Sequence, residues 1–155
     1  MASAIQHIRF RTALWLWARI VPVLAWRSDV LTLLRRASPG HRRPYVGLSA
    51  AHIARRAKRA VRRPRLMADR PCLREGVLAD RFLRLAGYAP ELHFGVERNS
   101  LADEILRAHC WVVLDGQALL NAPATEMIEV MVRDRDARIR VRGQAPAGAK
   151  KERYE

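Results

Sequence analysis

From Ala13 to Trp26 the chain reads ALWLWARIVPVLAW, an apolar run broken only by Arg19 and Pro22. A membrane span needs roughly 20 apolar residues, and this run is shorter, carries a charge inside it and meets Arg27 at its end. No small-residue cleavage site follows Trp26, so a signal peptide is not expected either. The pattern predicts a buried or amphipathic helix, kinked or restarted at Pro22 and continuing through Asp29 to Arg36. Trp15, Trp17 and Trp26 are assigned first to the core, second to a docking surface for a partner protein and last to lipid, so membrane contact is not expected. SPGHRRP, from Ser38 to Pro44, is a turn-rich joint.

A second helix is predicted from about Leu48 to Arg63, where Pro64 stops it. Ala50, Ile53, Ala57 and Ala60 form its apolar stripe, and Arg55, Arg56, Lys58, Arg59, Arg62 and Arg63 cover the other side. A third begins with Pro71, which suits a first helical turn. Leu73, Val77, Leu78, Phe82 and Leu85 supply its apolar faces before Gly87 closes it. The period then changes from helical to alternating. Leu92, Phe94 and Val96 alternate with His93 and Gly95, AHCWVVL from Ala108 to Leu114 reads as a second strand, and Asp115-Gly116 turns the chain into a third, Gln117 to Asn121, stopped by Pro123. Helices followed by a small antiparallel sheet make the fold class α+β.

Composition narrows the picture further. The chain has 155 residues, half of them hydrophobic, which is one domain with enough apolar surface for a core. Its formal charge of +14 predicts a field that draws acidic peptides, nucleic acid or anionic lipid without choosing among them. The residues between the arginines of the second helix are alanines rather than the aromatic groups that stack on bases, so nucleic-acid binding is not expected. A basic nucleic-acid-binding or scaffold module without catalytic activity is nevertheless the rival reading. Cys72 and Cys110 give no disulfide framework, so free thiols in a reducing cytoplasm are the simpler expectation.

Cys72 sits in the first turn of the third helix, where unpaired N–H groups and the helix dipole favour a thiolate. Gly76 and Ala79 follow on its stripe, small enough for a strand or an extended substrate to approach. On the second strand His109, Trp111 and Val113 share one face and Cys110 points to the other. Asp115 belongs to the turn, six strand residues or about 20 Å from His109. Asn121 is better placed if the hairpin loop is the three residues Leu114-Asp115-Gly116, because His109 then opposes Asn121 directly. Thiol at a helix start, histidine on a strand and amide on the next strand make a nucleophile, a base and an orienting group.

CLREGVLADRFLRLAGYAPELHFGV, followed by AHCWVVLDG and LLNAP, resembles the transglutaminase-like cysteine peptidases of lasso-peptide biosynthesis, in their short stand-alone form. The resemblance covers roughly residues 48–123 and rests on the Cys72-Leu73 helix start, the Gly95-Val96 strand and the His109-x-Trp111-Val112 pattern. It implies helices packed on a small antiparallel sheet, related to the papain-like cores, with 1–47 as an N-terminal helical segment, 48–142 as the peptidase core and 143–155 as a disordered tail. It implies cleavage of a ribosomally made precursor peptide between leader and core, without cofactor or metal. A separate leader-binding protein presents the substrate, and an asparagine-synthetase-like macrolactam cyclase closes the ring with ATP. Carried over by position, Cys72 matches the nucleophile and His109 the base, while Asn121 stands where relatives usually have aspartate. Glu75 in place of a common serine, and Cys110-Trp111-Val112-Val113 in place of Ala-Trp-Val-Glu, are further departures.

Overall fold

The computed structural model describes residues 3–102 and 105–142, and the tail assigned to 143–155 lies outside the described residues. Four helices, α1 (Ala4–Arg27), α2 (Val30–Arg36), α3 (Ala50–Ala60) and α4 (Pro71–Leu85), precede a five-stranded sheet built from β1 (Glu91–Glu97), β2 (Ala108–Leu114), β3 (Gln117–Leu120), β4 (Met127–Arg133) and β5 (Ile139–Val141). The strand order is β3-β2-β1-β4-β5, antiparallel throughout, so the fold is α+β as expected. The last two strands were not foreseen. Pairing of β4 with β1 places β1, rather than β2, at the centre of the sheet.

The first helix departs from expectation in an instructive way. It runs through Pro22 without restarting and ends at Arg27. Asp29 then caps α2 by accepting the Thr32 N–H at 2.7 Å, so the helix expected through Asp29 is two helices. Pro22 has no N–H to give to the carbonyl four residues back, which belongs to Ala18 and is buried. Arg74 of α4 fills that vacancy: its Nε donates to the Ala18 carbonyl at 2.9 Å, and its Nη2 donates to the same oxygen. Its Nη1 donates to the carbonyls of Val61 at 3.1 Å, Pro64 at 3.0 Å and Leu66 at 2.9 Å. One fully buried guanidinium therefore joins α1, the end of α3 and the segment leading into α4.

Ser49 caps α3 by accepting the His52 N–H, so this helix is shorter than the Leu48–Arg63 stretch predicted for it. Phe10 of α1, Tyr45 and Phe82 of α4 meet edge-to-face and stacked at centroid distances of 5.5–5.8 Å. They join Leu14, Val21, Leu33, Ile53, Leu78 and Leu83 in one core, onto which Leu92 and Val112 of the sheet close.

At the far end of α4, Asp80 accepts from Arg84 Nε at 2.9 Å and from Arg133 Nη1 at 2.7 Å. Arg133 also donates to the Ser38 hydroxyl, and Arg84 to the carbonyls of Pro90, Asp134 and Arg135. Burial pushes the Asp80 carboxyl up from its ordinary range, and the two guanidiniums pull it back. Helix α4 is thus fixed at both ends, which positions its first turn against β2.

Candidate active site

Cys72 lies one residue into α4, a free, half-buried thiol packed against the core. Pro71 opens the helix, and Arg70 at the N-cap provides no side-chain hydrogen bond, so the first turn keeps its N–H groups and the positive end of its dipole for an anion. One turn on, a Cβ built on Gly76 would stand 2.7 Å from Cys110 Sγ and 3.0 Å from Leu92 Cδ1. Gly76 is therefore the gap through which β2 approaches the helix, and the approaching element is a strand of this chain. Cys110 forms the floor there, 2% exposed, with its thiol pKa pushed well above the ordinary value by burial and then by the charges of Cys72 and Asp80. That coupling places the two sulfurs near each other, yet only Cys72 is open to a reagent.

His109 immediately precedes Cys110 on β2, the strand on which α4 lies. Its Nε2 stands 2.8 Å from the backbone carbonyl oxygen of Asn121. A carbonyl only accepts, so Nε2 carries the hydrogen and Nδ1 keeps the lone pair that can take a proton.

This contact corrects the expected hairpin. Leu114 pairs with Gln117 and Val113 with Ala118, which leaves the two-residue loop Asp115-Gly116, both with positive φ, at 51° and 79°. The register then slips by one, and Val112 pairs with Leu120. His109 therefore does not face the Asn121 side chain across the ladder. The slip carries Asn121 past the strand end at φ 56°, a left-handed conformation that asparagine enters more readily than most residues, and there its carbonyl meets the imidazole. The side-chain Nδ2 is buried with no hydrogen-bond partner among the described residues. Asn121 is thus brought to His109 through its backbone, and Asp115 remains a turn residue.

The imidazole is also held by stacking that sequence reading did not find. The Trp111 ring lies nearly parallel to His109, 16° apart at 6.2 Å, and to His93 on β1, 17° apart at 5.3 Å. His93 is clamped in turn by Glu129 at 2.6 Å and Glu91 at 3.3 Å. A Cβ on Gly95 would come within 3.1 Å of the Trp111 ring and of the Ile128 carbonyl, so the glycine is the seat of the tryptophan. The signal was present as the alternation of His109 and Trp111, but their partners arrive from β1 and β4.

A cavity of about 280 Å³ adjoins His109, walled by Glu97, Ala108, Pro123, Thr125 and Met127 among others. Another of about 440 Å³ adjoins the start of α4, where Pro71 and Glu75 face Arg62, Arg63 and Arg65. Among the described residues no group of three or more His, Cys, Asp or Glu side chains is placed to hold a metal ion. No helix is long and apolar enough to cross a membrane. A family profile described as the transglutaminase-like superfamily matches residues 12–133. No curated protein and no solved structure matches the chain.

Proposed function

The chain belongs to the transglutaminase-like superfamily, whose fold commonly serves cysteine-type hydrolases, and we propose that it is a cysteine peptidase that removes the leader from a ribosomally made lasso-peptide precursor in the cytoplasm. The observation that carries the chemistry is the bond from His109 Nε2 to the Asn121 carbonyl, which leaves Nδ1 as base on the strand beneath the Cys72 helix.

In this reading Cys72 Sγ attacks the carbonyl carbon of the last leader residue while His109 Nδ1 takes the thiol proton. The tetrahedral oxyanion forms at the start of α4, where the Cys72 N–H is the proposed donor and Arg74, buried two residues on, adds positive potential. As the C–N bond breaks, His109 returns the proton to the core's amine, leaving the leader as a thioester on Cys72. Water, deprotonated by the same nitrogen, then releases the leader acid. No cofactor enters these steps.

A separate leader-binding protein is the proposed source of substrate affinity. The exposed Arg55, Arg59 and Arg62 face, next to the basic cavity at the α4 start, suits an acidic partner or leader. The released core would pass to an asparagine-synthetase-like macrolactam cyclase. The test combines purified chain, precursor and leader-binding protein. Cys72→Ala should lose cleavage, Cys110→Ala should keep most of it, and omitting the partner should slow it. Equal loss in both cysteine variants would refute the nucleophile, and equal rates with and without the partner would refute shared recognition alone.

A further inference from the structure

Helix α1 is apolar on the side that faces the core and again on the side that faces away from it. Phe10, Leu14, Ala18 and Val21 are buried, whereas Ile5, Ile8, Trp15, Leu16, Val23 and Trp26 are 49–82% exposed. Successive residues advance about 100° around a helix axis. The exposed set therefore falls on one arc, opposite the buried set, and runs the length of a 24-residue rod. A helix that is apolar all round is ordinarily enclosed, by protein or by lipid, and here only one half is enclosed by this chain.

The charges along the rod indicate what covers the other half. The helix contains Arg9, Arg11, Arg19 and Arg27 and no acid. Arg9 and Arg27 border the exposed arc on one side and Arg11 on the other. Arg19 lies within the arc, but its guanidinium folds over the Trp15 ring at 3.6 Å and donates to the Trp15 carbonyl. An apolar strip edged by arginines, with two exposed indoles, combines the features that rest a helix in the interface of an anionic bilayer: rings and aliphatic groups at the acyl boundary, guanidiniums at the phosphates. A second copy of this chain fits poorly, because α1 against α1 sets arginines against arginines in molecules that each carry +14. A protein groove would draw its specificity from hydrogen-bonding groups on the strip, and Thr12 is the uncharged polar residue on that arc. The short apolar run excludes crossing a bilayer but not lying on one.

We propose that the outer face of α1 docks the protein on an anionic lipid surface. The experiment is flotation of the full chain with vesicles of phosphatidylcholine alone and of phosphatidylcholine mixed with phosphatidylglycerol, followed by tryptophan emission. The wild-type chain should float with the mixed vesicles, more weakly with the neutral ones and less as salt is raised, and its emission should shift to the blue. Trp15→Ser with Trp26→Ser should lower partitioning roughly tenfold or more without changing the melting temperature, since both side chains are already in solvent. Two results would overturn the proposal. If mixed vesicles do not retain the wild-type chain, the face belongs to a second copy where the mass in solution is that of two chains, and to an acidic protein otherwise. If the double variant floats as well as wild type, the basic surface elsewhere holds the lipid and α1 does not.

Discussion

Near its start α4 buries a guanidinium among carbonyls, and towards its end it buries a carboxylate between two guanidiniums. Arg74 has no carboxylate partner among the described residues. It is satisfied by dipoles, including a carbonyl that Pro22 leaves open. Asp80 has two charged partners from two elements. Both arrangements fix the helix, but they differ in the field they leave behind. The far end is largely compensated within itself, whereas the near end keeps an unbalanced cation two residues from Cys72, where the proposed chemistry develops negative charge. Burial pulls the Arg74 pKa down from the ordinary guanidinium value without bringing it near neutrality as a group.

The comparison breaks most visibly at the compensated end. Asp80→Asn strands two buried guanidiniums and should cost about 3–5 kcal/mol in urea unfolding. Arg74→Met should cost about 2–4 kcal/mol, because the Pro64 and Leu66 carbonyls can rehydrate while that of Ala18 cannot. Adding Pro22→Ala restores an N–H aimed at Ala18, so it should recover part of the Arg74→Met loss and do little alone. Strict additivity in that pair would remove the link between Pro22 and Arg74.

At the contact between helix and strand the expected effects are smaller. Gly76→Ala drives a methyl into Cys110 Sγ and should cost about 1–3 kcal/mol, with Cys110→Ala restoring much of it. At the imidazole, Asn121→Gly should keep the carbonyl in place and most of the activity. Asn121→Ala should lose about 1–2 kcal/mol to the left-handed backbone, and Asn121→Asp should gain nothing from its carboxylate. An Asp variant that outperforms Gly would return the orienting role to the side chain.

Sequence periodicity carried much of this. Pro71 and Gly87 marked the limits of α4, β2 was read to the residue, and Gly76 was recognised as an opening for a close approach. The hairpin register was not legible, because Asp115-Gly116 supports both two- and three-residue loops and the slip at Leu119 depends on how β3 meets the core. Asn121 was therefore found as a residue but not as a carbonyl. The strands Met127–Arg133 and Ile139–Val141 were missed, and with them the Glu129 clamp on His93 and the partner of Asp80. Such long-range pairs leave no local pattern. The arginines in the middle of α4 looked like solvated charge and proved to be structural.

The smallest predicted effect is a pH dependence at His52, whose pKa is held below 6.5 by burial first and then by Arg56, His7 and Arg55. A depressed folded-state pKa favours the neutral ring, so its contribution to stability is full above 6.5 and is lost as the pH falls through the folded value. His52→Gln should flatten that part of the unfolding profile, and an unchanged slope would place the acid sensitivity elsewhere.

The central claim is that Cys72, served by His109, carries the leader as a thioester. Its most direct test is acid quenching of the chain during turnover of precursor with the leader-binding protein, followed by intact-mass and peptide mapping. The account predicts a covalent adduct equal in mass to the leader acid less one water, located on Cys72, absent in Cys72→Ala and strongly reduced in His109→Ala. Core release without any adduct on Cys72, or an adduct on Cys110, would contradict it.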